Sequence, residues 1–162
     1  MSSLSFDKHG NLVPYEISII SFEDFRQFFV MQFEYSIARG ILYELYVDFV
    51  KDFSSEFTPE FVHWIGGSFV TNKISPNDID VVTLVEITEQ LNLRIDILQK
   101  FTTKGYSKQN YNIDSYLIPV YDVRDSRYAY TRDSVQYWKD WFSHDRNKEE
   151  KGLIQLNYSK ND

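Results

Sequence analysis

Cysteine is absent from the 162-residue sequence. Disulfide bonds, thiolate-bound zinc and a cysteine nucleophile are therefore excluded for this stretch of chain. The three histidines, at positions 9, 63 and 144, lie too far apart in the sequence to show the spacing of metal ligands. No apolar run approaches the roughly 20 residues that cross a bilayer. The first residues, MSSLSFDKHGNLVPYE, also lack the basic and apolar regions of a signal peptide. We therefore expect a cytoplasmic protein without a membrane partner.

Positive charge is scarce as well. The sequence has 17 Lys and Arg residues against 24 Asp and Glu residues, which leaves a net charge of −7. A surface of this sign repels polyanions at long range, so we expect no extended nucleic-acid-binding face. A small nucleotide that arrives together with a divalent cation stays compatible with this charge.

Glycine and proline are few, with six and four residues, and no linker rich in either divides the chain. The sequence also contains no repeat and no low-complexity tract, so we expect residues 1–162 to form a single domain. Aromatic side chains, in contrast, make up 17% of the residues, and they predict an aromatic-rich core.

The N-terminal part, residues 1–58, is predicted to be helical. Ser21 opens a pattern typical of a capped helix N-terminus, just before FRQFFVMQF. A second helix is predicted over residues 34–53, where apolar residues such as Ile37 and Ile41 recur at helical spacing. The sequence therefore predicts two N-terminal helices.

Residues 59–162 are predicted to hold the β-sheet and the catalytic part. Extended segments are predicted over residues 60–69, 78–87, 111–121 and 152–158. Helices are predicted over residues 89–101 and 135–143, the second capped by Asp133 or Ser134, with a loop over residues 102–110. A helical part followed by strands that alternate with helices predicts an α+β fold, in which helices flank a small mixed β-sheet.

The stretch WIGGSFVTNKISPNDIDVVT, residues 64–83, places two acids at the entry to an apolar strand. Successive side chains of a strand alternate between its faces, so Asp78 and Asp80 share one face. Their Cα atoms would lie roughly 6.6–6.8 Å apart, and partial burial increases their mutual repulsion. A divalent cation such as Mg²⁺ or Mn²⁺ removes that conflict, because it binds carboxylate oxygens and keeps open positions for phosphate.

The glycines before this strand predict a phosphate-binding turn. Gly66 and Gly67 permit a positive φ angle and a close approach of the backbone to a ligand. Backbone N–H groups of such a turn, together with the Ser68 hydroxyl, can cradle phosphate oxygens. Lys73, in the following loop, is placed to offset triphosphate charge.

The segment GGSFVTNKISPNDIDVV resembles the signature of the nucleotidyltransferase superfamily typified by DNA polymerase β. The resemblance implies a small mixed sheet flanked by helices and a pair of Mg²⁺ ions. Asp78 and Asp80 match the family's metal-binding carboxylates, and Gly67 and Ser68 match its phosphate turn. The family's third carboxylate is best matched by Asp114 in NIDSYLI, since the competing Asp96 falls in a predicted helix.

The whole chain is also similar to a set of uncharacterised bacterial and archaeal proteins. The shared features are a G-x-L-x-P start, here GNLVP, a helix with Ser36 and Arg39, and a late Lys151-Gly152 pair before a strand. This second resemblance brings no activity with it.

The first resemblance implies transfer of a nucleoside monophosphate from an NTP to a hydroxyl group of a protein or an RNA such as tRNA. Small members of the superfamily often occur in toxin–antitoxin or defence pairs. The alternative is a catalytically inactive module of the same fold that binds a nucleotide or a protein partner.

Each residue also has a simpler interpretation. Asp78 and Asp80 are compatible with a solvated strand start, and Lys73 with a solvated loop. Arg39 is interpreted as a surface or salt-bridged residue, His63 as a packed histidine, and Trp138 and Trp141 as core anchors rather than base-stacking residues. Four basic residues flank the Asp114 strand, and the sequence does not choose which one reaches a nucleotide: Lys104, Lys108, Arg124 and Arg127.

Overall fold

The computed structural model of the protein describes residues 4–102 and 104–159. Its strands are β1 (Ser5–Phe6), β2 (Leu12–Val13), β3 (Ile17–Ile19), β4 (Phe61–Gly66), β5 (Ile79–Glu86), β6 (Ile113–Val120) and β7 (Leu153–Tyr158). Its helices are α1 (Phe22–Arg26), α2 (Ile37–Glu56), α3 (Glu89–Asn92), α4 (Ile95–Thr102), α5 (Lys104–Tyr111) and α6 (Tyr128–Phe142). A π-helical turn, Gln27–Met31, continues α1, and a 3₁₀ turn, Gly67–Val70, follows β4.

Five strands form one mixed sheet in the order β3-β7-β4-β5-β6, and β1 pairs with β2 separately. The outer pairs β3–β7 and β5–β6 are parallel, whereas β4 pairs antiparallel with both β5 and β7. The predicted α+β class with a mixed sheet is therefore confirmed. The four predicted extended segments contain β4, β5, β6 and β7. Three further strands lie in the N-terminal part, where the sequence predicted only helices.

The main core lies between the sheet and α2 and is rich in aromatic rings. Tyr46, Phe49 and Phe53 of α2 are fully buried there, next to Ile79 and Val81 of β5. A second cluster lies on the other face of the sheet, under α6. It contains Trp64, Val82, Ile118, Phe142 and Leu153. The strict alternation of β5 between the two clusters sets which of its residues face α6.

The apolar stripe predicted for α2 is wrong at its start. Ile37 and Ile41 are 80% and 57% exposed, because the inward position of the first turn belongs to the fully buried Arg39. Ser36 caps this helix and accepts a hydrogen bond from the Arg39 N–H at 3.2 Å.

The loop predicted over residues 102–110 is also wrong, because α5 spans Lys104–Tyr111. Tertiary contacts hold this short polar helix. Ser107 and Tyr111 are buried, and the Tyr111 hydroxyl donates to Asp52 of α2 at 2.7 Å. Asn112, with φ of 54°, ends the helix in the left-handed conformation that such helix ends favour.

Two other helix boundaries differ from the predictions. The helix predicted over residues 89–101 is divided into α3 and α4 around Leu93, which is solvent-exposed. The last helix, α6, begins at Tyr128 instead of after a cap at Asp133 or Ser134. Thr131 fixes its first turn, since its hydroxyl donates to the Pro119 carbonyl at 2.7 Å. Among the described residues, no helix is long and apolar enough to cross a membrane.

Candidate functional site

Three carboxylates meet at one edge of the sheet. Asp78 immediately precedes β5, Asp80 lies within it, and Asp114 is the second residue of β6. The parallel register pairs Asp80 directly with Asp114. All three line one cleft of about 830 Å³, together with Gly67, Ser68 and Lys73 from the sequence-predicted set. Because side chains alternate along β5, Asp80 lies on the sheet face that also carries the second apolar cluster, under α6.

The glycine turn lies directly against Asp80. Gly66 is the antiparallel register partner of Asp80, and Gly67 has a φ of +66°. A Cβ atom at Gly67 would lie 1.7 Å from Asp80 Oδ2, and one at Gly66 would lie 2.3 Å from the Phe142 ring. Glycine is therefore required at Gly67 both for its backbone conformation and for its contact with the carboxylate.

The acids are incompletely balanced by nearby cations. Burial, together with the charges of Asp78 and Asp114, raises the pKa of Asp80 to about 6. Lys151 and Lys108 oppose this rise. Lys108, on α5, places its Nζ atom 2.5 Å from Asp78 Oδ2 and 3.3 Å from Asp114 Oδ1. Of the four basic residues near the Asp114 strand, Lys108 thus reaches the acids. Arg124 and Arg127 instead pair with Asp122 and Asp125, and the Lys104 side chain lies outside the described part.

Lys151 supports the glycine turn through a hydrogen bond to its backbone. Its side chain is buried, and its Nζ atom donates to the Gly67 carbonyl at 3.1 Å. Burial lowers the pKa of Lys151, and the charges of Asp80 and Asp145 oppose that effect. The adjacent Gly152 donates from its N–H to the Leu12 carbonyl at 2.8 Å. The late Lys-Gly pair therefore joins the GNLVP segment to the turn.

Arg39 holds the loop between the turn and Asp78. Its guanidinium donates to the carbonyls of Phe69, Thr71 and Lys73 at 2.7–3.1 Å. It also donates to the Phe29 carbonyl at 2.8 Å. The interpretation of Arg39 as a surface or salt-bridged residue is wrong, since backbone carbonyls satisfy a fully buried cation. Burial lowers the pKa of Arg39 to about 10, so it stays protonated at neutral pH.

The donor set suits a hard divalent cation in its chemistry. Carboxylate oxygens, which Asp78, Asp80 and Asp114 supply at the start of two neighbouring strands, are the ligands that Mg²⁺ and Mn²⁺ prefer. As the side chains stand, however, no group of three or more His, Asp or Glu residues within 4–102 and 104–159 is arranged to hold a metal ion. The Lys108 ammonium lies between Asp78 and Asp114 instead. The residues therefore fit a divalent cation in ligand type, and in this arrangement the Lys108 ammonium takes the place of a cation between two of them.

Other cleft residues escaped the sequence predictions. Trp141 is 61% exposed and lines the cleft, so the prediction that it anchors the core is wrong. Trp138 is packed as predicted, with its ring centroid 4.2 Å from that of Tyr116. Trp141 lies at the edge of the apolar stripe of α6. Its position around the helix was therefore the one feature of the sequence that could have indicated an exposed ring. Arg146 also lines the cleft and lies in a segment without a motif. His63 is packed as predicted, with Nδ1 at 2.7 Å from the Tyr46 hydroxyl.

Comparison with protein families gives one match. The model of a "Family of unknown function (DUF6932)" matches residues 4–157, so the chain belongs to that family. The comparison with curated proteins and that with solved structures gave no match.

Proposed function

We propose that this DUF6932 protein transfers a nucleoside monophosphate from an NTP to a hydroxyl group of a protein or an RNA such as tRNA, with release of pyrophosphate. The acceptor oxygen forms a bond to the α-phosphorus while the bond between the α- and β-phosphates breaks, and the hydroxyl proton passes to solvent. The observation that carries the proposal is the contact between the glycine turn and Asp80, at the point where Asp80 also pairs with Asp114. A phosphate-binding turn and a carboxylate cluster are the two parts that metal-dependent phosphoryl chemistry requires.

Each part has a definite role in this proposal. Asp78, Asp80 and Asp114 would hold Mg²⁺ or Mn²⁺, which would lower the pKa of the acceptor hydroxyl and neutralise the phosphates. Gly67 and Ser68 present backbone N–H groups and one hydroxyl to the triphosphate. Little covalent chemistry is required of the protein, so the rate depends on positioning and charge.

The cations of the site support binding of a triphosphate. Lys73 and Arg146 line the cleft, and neither belongs to an ion pair among the described residues. Their charge is thus available for phosphate oxygens, in a protein that is otherwise acidic.

The mixed sheet flanked by helices suits the nucleotidyltransferase-like fold that the resemblance implies, although β3 of this sheet precedes α1 and α2 in the chain. A cytoplasmic role in a toxin–antitoxin or defence pair belongs to the same proposal and rests on that resemblance alone.

One observation favours a second candidate function, a catalytically inactive module that binds a nucleotide or a protein partner. The Lys108 ammonium group already pairs with Asp78 and Asp114 and offsets one of their two charges. An internal cation in this position takes part of the role that a bound metal would have. Activity therefore decides between the two candidates.

The experiment is a labelled transfer assay. Wild-type protein is incubated with each of the four α-labelled NTPs, Mg²⁺ or Mn²⁺, cell lysate and total tRNA, and the assay is repeated with Asp80→Asn. The matched control is Asp96→Asn, which removes a carboxylate of α4 outside the cleft. We expect label transfer by the wild type and the control and none by Asp80→Asn.

Thermal unfolding in metal-free buffer adds a second readout. Asp80→Asn should hold or raise the melting temperature, because it removes a carboxylate that two like charges and burial destabilise. Transfer that survives Asp80→Asn would contradict the metal-site assignment. Absence of transfer by the wild type with every NTP and acceptor would favour the binding module.

A further inference from the structure

Two exposed aromatic rings lie at the C-terminal end of α6, where this helix borders the cleft. Trp141 lines the cleft and is 61% exposed, and Tyr137, one turn earlier, is 55% exposed. Their rings are nearly parallel, with an interplanar angle of 17° and centroids 6.2 Å apart. Exposure of two neighbouring large rings leaves apolar surface in water, which is a common property of binding surfaces.

The structure fixes this aromatic pair with respect to the acids. Phe142, next to Trp141, lies against Gly66, the register partner of Asp80. The Trp138 ring stacks on that of Phe142, with centroids 5.8 Å apart, and it lies nearly perpendicular to the Tyr137 ring, with centroids 5.0 Å apart. The pair is therefore held by the same packing that closes the glycine turn.

We propose that Trp141, supported by Tyr137, is the stacking surface for the nucleobase of the bound nucleotide. The inference rests on the proposed function and names a subsite of the same cleft. A volume of about 830 Å³ lies within the range of small-molecule sites, so the cleft has room for a base beside the triphosphate. The cleft also contains the phosphate turn and the carboxylates, which would bind the other end of the nucleotide.

The chemistry of the surface also predicts its selectivity. Stacking on an aromatic side chain accepts every base, because each base has a π-face, and it favours the larger purine rings. We therefore expect all four NTPs to bind, with ATP and GTP bound more tightly than CTP and UTP.

The test compares a ligand that carries a base with one that lacks it. Dissociation constants for ATP and for inorganic tripolyphosphate are measured by calorimetry in the presence of Mg²⁺, with wild type, Trp141→Ala and Trp141→Phe. The matched control is Tyr130→Ala, which removes an exposed ring of the same helix that does not line the cleft. Quenching of tryptophan fluorescence by ATP gives a second readout, and circular dichroism verifies folding.

We expect Trp141→Ala to weaken ATP binding about tenfold, a factor within the range measured for loss of one base-stacking ring. Tripolyphosphate binding should not change, Trp141→Phe should be intermediate, and Tyr130→Ala should match the wild type. The quenching should be lost in Trp141→Phe, because its reporter is Trp141.

Three results would overturn the inference. The first is equal ATP affinity of wild type and Trp141→Ala. Intact label transfer together with this result would leave the proposed function standing without the stacking subsite. A wild-type dimer that Trp141→Ala converts to a monomer, without a change in ATP affinity, would assign the rings to self-association. Failure of the wild type to bind either ligand would remove the proposed function together with the subsite.

Discussion

At the residue scale, Gly67 is the position where backbone conformation and the acidic cluster meet. Gly67→Ala would place a methyl group 1.7 Å from Asp80 Oδ2 at a φ of +66°. We expect a loss of about 1–3 kcal/mol in the free energy of unfolding, the usual cost of such strain. Gly40→Ala is the matched control, because a Cβ there has open space within α2.

The control should change stability in the opposite direction. Alanine in a helix interior is favoured over glycine by about 0.5–1 kcal/mol, so Gly40→Ala should stabilise the protein. Urea unfolding of both variants measures the two effects. If Gly67→Ala is as stable as the wild type, the turn does not hold the conformation described for it.

Single residues also show what could be predicted from the sequence. The shared face of Asp78 and Asp80 follows from the two-residue period of a strand, so it was predictable once β5 was predicted. The role of Arg39 was not, because its partners are backbone carbonyls of residues 29, 69, 71 and 73. Carbonyl positions leave no mark on sequence composition, and a basic residue at a helix start is ordinarily exposed.

At the element scale, α5 was the main error of the sequence interpretation. Its sequence, KGYSKQNY, is polar and contains glycine and serine, which favour loops. Packing of Tyr111 against α2 overrides that preference. One local signal was available in Asn112, a residue type suited to a left-handed helix end. The Asn112 side-chain amide also donates to the Asn77 carbonyl at 2.7 Å, next to Asp78.

Because α5 presents Lys108 to the acids, the helix should compete with a metal for them. Lys108→Met removes the ammonium between Asp78 and Asp114 and should strengthen Mn²⁺ binding. We expect an increase of about three- to fivefold, which corresponds to the loss of a competing ion pair worth roughly 0.7–1 kcal/mol. Electron paramagnetic resonance of free Mn²⁺, without nucleotide, measures this affinity.

Lys100→Met controls for loss of one lysine. Lys100 lies on α4, and its Nζ atom is 2.8 Å from Oε2 of Glu56, at the end of α2. It should bind Mn²⁺ as the wild type does. Unchanged or weaker Mn²⁺ binding by Lys108→Met would show that Lys108 does not compete for the site. Lys108→Met and Lys100→Met each remove one positive charge, so a difference in Mn²⁺ affinity between them does not come from net charge.

At the scale of the whole molecule, the motifs found in the sequence surround one loop. Gly10 of the GNLVP segment accepts a hydrogen bond from Asn72 at 2.9 Å, Arg39 binds the carbonyls of the same loop, and Lys151 binds Gly67. The sequence identified these pieces separately. Their convergence depends on the strand order, in which β7 lies between β3 and β4, and that order was not predictable from local patterns.

Acid stability depends on the aromatic core as a whole. His63 is fully buried among Phe49, Phe53 and Phe61, and burial lowers its pKa to about 3. In the unfolded chain a histidine has a pKa of about 6.5, so between these values the unfolded state binds one proton more than the native state. The stability that neutral His63 contributes is therefore complete above pH 6.5 and is lost as the pH falls toward 3.

His63→Gln removes this titration. We expect the free energy of unfolding of the wild type to fall, relative to that of His63→Gln, by about 2 kcal/mol between pH 8 and pH 5. Asp80 acts in the opposite direction, because its raised pKa lets the native state bind more protons between about pH 3.8 and 6. Both proteins retain Asp80, so the difference between their urea unfolding curves isolates His63. His9→Gln controls for loss of an exposed imidazole. A difference between wild type and His63→Gln that stays constant across this pH range would show that His63 is not held neutral by the core.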